Sequence, residues 1–216
     1  MSKNIFTSND KEQIKEVVAA LEKESSGELV LYYAKNSDDY QNANWKFSGV
    51  IALVFSIIII GLAYFWLLPS YFTPIVMGIT ILTSMVFGYL IAYFFPFLRY
   101  AVTNEHIVSQ RVLTKAKDVF LQEEVFNTVD RTGILIYISA LEHQVVVLGD
   151  SGINKKIEQP DWEHVVQLVV DGIKSNQMTS GIIEAVEACK KLLLEHGFVV
   201  KPGDTNELHD AIRIEE

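Results

Sequence analysis

Residues 47–98 form a run of 52 consecutive positions without an Asp, Glu, Lys, Arg or His. Burying a stretch of that length inside a water-soluble fold would need a far larger shell than the rest of a 216-residue chain offers. The run divides at Pro69-Ser70-Tyr71-Phe72-Thr73-Pro74, where two prolines and three polar side chains interrupt aliphatic sequence. The pattern predicts a hairpin of two transmembrane helices, 47–68 and 75–95. At 1.5 Å per residue they would be roughly 33 and 32 Å long, enough to cross a hydrocarbon core of about 30 Å. Aromatic side chains gather at both predicted depths, with Trp45, Phe47, Tyr93, Phe94, Phe95 and Phe97 at one end and Tyr64, Phe65, Trp66, Tyr71 and Phe72 at the other. Such rings favour the two membrane–water interfaces.

Orientation follows from the basic residues near the spans. Lys35 and Lys46 precede the first, Arg99, Arg111, Lys115 and Lys117 follow the second, and the connecting loop has none. The positive-inside rule then places both termini in the cytoplasm, as expected for a multi-pass protein of the inner (cytoplasmic) membrane. Residues 1–27 carry the charged amphipathic stretch from Lys11 to Glu24 and no apolar run, so no secretory signal is expected there. Within the hairpin, Thr80, Ser84, Gly88 and Ala92 recur every four residues, and Ser48, Ala52 and Ser56 do the same in the first span. Small side chains let helix backbones approach closely in lipid, so these stripes are expected to be the contact face between the two spans or against a partner's span.

The charged residues lie on either side of this block. Eighteen Lys and Arg against twenty-seven Asp and Glu, with a net charge of −9 and no basic run, exclude nucleic acid as a partner, because phosphate neutralisation needs clustered cations. The single Cys189 lies in an apolar helical stripe and reads as a small buried hydrophobe. Thr7 with Asp10 resembles a capping box ahead of Ile14, Val17, Val18 and Leu21, predicting a helix over 8–24, and Leu29 to Tyr33 reads as a strand. So short a segment cannot bury a core alone and must complete one with chain beyond the hairpin. There, Asn104 can cap a helix through Val108, Val112, Ala116, Val119 and Phe120; strands follow at 133–139 and 144–148, then helices around Trp162–Ile173 and Ile182–Leu193. The expected architecture is a small α/β/α sandwich with a mixed sheet, interrupted by the hairpin: 1–43 and 101–200 as the two parts of one domain, 44–100 as the insertion, and 201–216 as a C-terminal arm.

The most site-like stretch is Leu148-Gly149-Asp150-Ser151-Gly152, a strand entering a glycine-flanked polar loop. Gly-Asp-Ser-Gly also matches the nucleophile tetrapeptide of trypsin-like proteases, but that triad needs a far larger all-β frame. Two readings stay open: a turn in which Asp150 caps the following backbone, or a metal or phosphate pocket on which Asp118, Asp130 and Thr132 converge with Asp150 and Ser151. Asp130 and Thr132 also suit a plain helix-to-strand turn. The acidic pairs Asp38-Asp39, Glu123-Glu124 and Glu215-Glu216 have the oxygen donors hard cations use, without the spacing of a calcium loop. The five histidines, His106, His143, His164, His196 and His209, are scattered, and no phosphate loop or dinucleotide fingerprint is present.

Phe6-Thr7 before the first helix, Ser25-Ser26-Gly27-Glu28-Leu29 entering the first strand, Val119-Phe120, Thr132 to Ile138, Val147 to Ile153 and the closing Asp204-Thr205-Asn206-Glu207-Leu208 together resemble the TPM domain. The tail is similar to that of short bacterial cytoplasmic members, which run from the first strand straight to the middle helix where this chain inserts residues 44–100. The resemblance implies an α/β/α sandwich and a choice of roles, since members include thylakoid-lumen proteins linked to photosystem repair, with acid phosphatase activity and calcium binding, and a membrane-tethered modulator of a receptor channel. The expected function is a membrane-anchored module that binds a membrane protein, or a second copy of itself, at the bilayer. The alternative is a calcium- or magnesium-dependent acid phosphatase using Asp150 and its neighbours.

Overall fold

Thr7 and Asp10 start the first helix reciprocally: Thr7 Oγ1 accepts the Asp10 N–H at 3.2 Å, and Asp10 Oδ2 accepts the Thr7 N–H at 2.7 Å. Asp therefore serves here as the longer Glu does in the usual box. This computed structural model describes residues 5–70, 72–95, 98, 103–200 and 206–215. Tyr71 and Phe97 of the aromatic sets, Arg99 of the basic set, Asp204 and Thr205 of the tail motif, and Glu216 lie outside them. The chain forms two compact units, Met1–Asp38 with Ser109–Glu216, and Asp39–Val108.

In the first unit, α1 (Ser8–Glu24) buries Ile14, Val18 and Leu21 and leads into β1 (Glu28–Ala34). The chain leaves after Asp38 and returns at Ser109, and Arg111 Nε stands 3.3 Å from Asp38 Oδ2, so exit and re-entry lie side by side. It continues as α4 (Glu105–Gln122), whose N-terminus is capped by Asn104 Oδ1 accepting the His106 N–H at 2.9 Å. After β2 (Gly133–Ser139) and β3 (Gln144–Gly149), a short 3-10 turn at Gln159–Trp162 precedes α5 (Glu163–Lys174), α6 (Met178–Glu195) and β4 (Arg213–Glu215).

The sheet is mixed, in the order β3-β2-β1-β4, with β1 parallel to both β2 and β4 and β2 antiparallel to β3. Strand alternation assigns the faces. Leu29, Leu31 and Tyr33 of β1, Ile134, Ile136 and Ile138 of β2, and Val145 and Val147 of β3 join α1, α5 and α6 in one buried core. Val30, Leu135 and Tyr137 project the other way and are fully covered, on the side where α4 buries Val112, Ala116 and Val119. The fold is therefore α/β, with helices on both faces of a mixed sheet. The strand β4 has no counterpart in the sequence reading, because Arg213-Ile214-Glu215 is too short and too polar to signal itself. It forms where the tail meets the open edge of β1, pairing Tyr33 with Ile214.

The second unit contains α2 (Gln41–Tyr64) and α3 (Pro74–Phe94), both long and apolar enough to cross a membrane. The first begins six residues before the predicted 47 and ends four before 68. Lys46 bounds the uncharged run but not the helix, which starts after Tyr40 in a left-handed conformation and stops before Trp66, left-handed as well. The second starts on Pro74, with Thr73 Oγ1 capping the Val76 N–H at 3.4 Å. Proline suits that first position because the N–H it lacks would have no helical partner.

Candidate functional site

The loop after β3 is built by close backbone approach. Gly133 lies against the Val125 carbonyl and Gly152 against the carbonyls of Asp130 and Arg131, so tightly that a Cβ at either would collide with those oxygens. Backbone bonds from Asp150 N–H to Gly133 O and from Gly152 N–H to Arg131 O, each 2.9 Å, lock the loop to the turn that enters β2. Asn154 returns a side-chain bond to the Gly149 carbonyl at 2.5 Å.

Asp150 is buried, 7% exposed, and its carboxylate is held from two sides. Oδ1 accepts the Ser151 N–H at 2.6 Å and Arg131 NH2 at 3.3 Å. Arg131 Nε stands 2.7 Å from Oδ2, off the line of a hydrogen bond, so that contact is an ion pair rather than a directed bond. The guanidinium, half exposed, also lies 5.5 Å from the centroid of the Phe126 ring. Arg131 itself is left-handed, with φ of 58°, which turns the chain so that its side chain meets the loop.

The other predicted residues are placed differently. Ser151 is exposed and contributes its backbone N–H. Thr132 is buried in the turn, donating its N–H to Thr128 Oγ1 at 2.9 Å and accepting from the Glu28 N–H at 3.2 Å through its carbonyl. Asp130 is exposed and brings its carbonyl, not a carboxylate, to Gly152. Asp118 is exposed on α4, and no hydrogen bond or ion pair among the described residues joins it to Asp150. Calcium takes six to eight oxygen ligands. This set offers one carboxylate already engaged by a cation, and among the described residues no three His, Cys, Asp or Glu side chains are placed to hold a metal ion. The residues do not fit a calcium site.

The sequence reading missed a second polar cluster, at the carboxyl ends of β1 and β2. Glu142, 2% exposed, accepts the Ser37 N–H at 3.0 Å on one oxygen and the Ser139 hydroxyl on the other. Ser37 Oγ also lies 2.7 Å from Ser139 Oγ and 3.0 Å from Tyr137 Oη. Burial pushes the Tyr137 phenol up to about 12, so it stays a neutral donor. Ligands of α/β sheets bind at this end of parallel strands. Here the position is filled by a self-satisfied network that fixes the chain one residue before the exit at Asp38. Its only sequence signal was a carboxylate, Glu142, in a tight strand connection.

In the hairpin, Ser48, Ser84 and Ala92 are buried, and Gly88 lies against Ser48 and Ile51, where an added Cβ would come 3.1 Å from Ser48 Cα and 3.0 Å from Ile51 Cβ. Ser48 Oγ donates to the Met85 carbonyl of the facing helix at 2.6 Å. Thr80, Ser84 and Ser56 instead bond back to their own helices, at Val76, Ile81 and Ala52. Such back-bonding satisfies hydroxyls where water is absent.

No protein-family model matches the sequence, and no curated protein does. Among solved structures, the chain is similar to the NMR structure of BA42 protein from the psychrophilic bacterium Bizionia argentinensis, with a TM-score of 0.60 and 18% identity over 99% of each chain. At that identity the likeness is one of fold.

Proposed function

We propose that this chain is a TPM-like domain held at the inner membrane by its inserted hairpin, with both termini in the cytoplasm, and that it acts there as a protein-binding or regulatory module. The observation that carries the reading is the pairing of Arg131 with Asp150. A phosphatase would need that carboxylate free to take a metal or a phosphoryl group, whereas an engaged carboxylate in a closed turn is a structural part. Apolar surface beside the loop supports binding: Leu121 is 62% and Val129 86% exposed, and a groove of about 330 Å³ runs between α4 and β3 along Phe120, Leu121 and Leu148. Tethering of the domain by two helices long and apolar enough to cross a membrane would favour a membrane protein or a second copy of the chain as the partner.

The test is affinity capture from mild detergent with crosslinking, beside a phosphatase assay of the purified full chain with and without calcium or magnesium. The proposal expects a specific crosslinked species and no turnover. Robust cation-dependent turnover that Asp150→Asn abolishes would replace it with the phosphatase reading.

A further inference from the structure

The C-terminal arm reaches β4 by way of carboxylates on α1 and β1. Glu28, 7% exposed at the start of β1, accepts the backbone N–H groups of Glu207 at 3.3 Å and Leu208 at 3.2 Å. Glu22, in the last turns of α1, accepts the Leu29 N–H at 3.1 Å on one oxygen and Asn206 Nδ2 at 2.8 Å on the other. The same Asn206 nitrogen donates to Asp210 Oδ1 at 2.7 Å, so one amide stands between two carboxyl groups and holds them near each other. Glu22, Glu28, Asn206 and Asp210 line a cavity of about 340 Å³. The charges facing Glu22 are Glu28 from β1, Asp210 from the arm and Lys23 from its own helix. Lys190 of α6 is engaged with Glu24 at 3.2 Å, and Glu207 with the Val129 N–H at 3.0 Å.

We infer that this arrangement is a proton-operated clasp: a proton on Glu22, beside Asp210 and Glu28, holds the arm on the domain, and its loss drives the arm off. Two ionised carboxylates held to one amide, with Glu28 beside them, repel each other, and the partial burial of Glu22 adds to the cost of its charge. Burial first, then the charges of Glu28 and Asp210, raise the Glu22 carboxyl to about 8 from its ordinary 4.5. With the arm released, Glu22 faces water and returns to the ordinary value. The docked form therefore holds the extra proton between those two values. Docking is strongest below the ordinary value, weakens as pH rises through the window, and stops changing above about 8. Release also bares the edge of β1 from Tyr32 to Ala34, which β4 otherwise covers.

The experiment uses the full chain in detergent micelles with a nitroxide on Ala211→Cys, an exposed arm position. Native Cys189 is fully buried and its thiol is pushed up to about 12, so it does not compete for label. The ratio of immobile to mobile label should fall by about tenfold per pH unit inside the window. Glu22→Gln keeps the shape of the protonated group without its titration and should leave the arm docked and the signal flat from pH 5 to 9. Asp210→Asn, on the arm and outside the core, should shrink the response and keep the arm docked at pH 8. A flat wild-type signal would overturn the clasp. So would a wild-type response retained in full by either variant.

Discussion

Asp150 and Arg131 are joined across two turns that the sequence separates by two whole strands, β2 and β3. Removing the guanidinium would leave a carboxylate 7% exposed with, among the described residues, only the Ser151 N–H to satisfy it. We therefore expect Arg131→Ala to destabilise the domain by about 2 kcal/mol, below the usual cost of breaking a buried pair because half of the arginine is in water. Adding Asp150→Asn to that variant should recover part of the loss, since a neutral amide costs less to leave unpaired. Unfolding midpoints of the two single variants and the double variant measure this coupling. Additive losses would mean that the two residues act separately and that Asp150 is held for another purpose. The sequence marked Asp150 through its flanking glycines but gave no sign of Arg131. A left-handed, non-glycine residue in a turn has no composition signature, and long-range pairing is set by how Gly133 and Gly152 let two backbones touch.

At the scale of elements, local chemistry and periodicity were enough to read α1, β1, β2, β3, α5 and α6, because each has a cap, a turn or an apolar period of its own. What escaped was set by tertiary context. The strand β4 exists only because β1 has an open edge, and the start of α2 ignores the charge boundary at Lys46. The small-residue stripe is legible in the sequence as a period of four, and the contact at Gly88 supplies its geometry. Gly88→Leu would force a side chain into Ser48 and Ile51 of the facing helix. It should push α2 and α3 apart and abolish cysteine crosslinking within the hairpin, while insertion persists because leucine is lipid-compatible. Val86→Leu, at a position 61% exposed, should leave crosslinking unchanged. Equal crosslinking in the two variants would make the stripe a matter of composition.

At the scale of the molecule, every residue of the sandwich core cluster lies outside 39–108, and Asp38 meets Arg111 at 3.3 Å where the chain leaves and returns. Excising 44–100 and joining the ends with a short flexible linker should therefore give a soluble domain that unfolds cooperatively, since loop-closure entropy changes slowly with length. Aggregation with every linker tried would mean that the hairpin contributes to the fold. A two-helix anchor with the domain on the cytoplasmic side is tested directly at Ser70, exposed in the connecting loop. In intact cells, a membrane-impermeant thiol reagent should label Ser70→Cys, while the buried Cys189 of the wild-type chain stays unlabelled. If Ser70→Cys reacts only after the membrane is permeabilised, the loop lies on the cytoplasmic side and the proposed orientation is wrong.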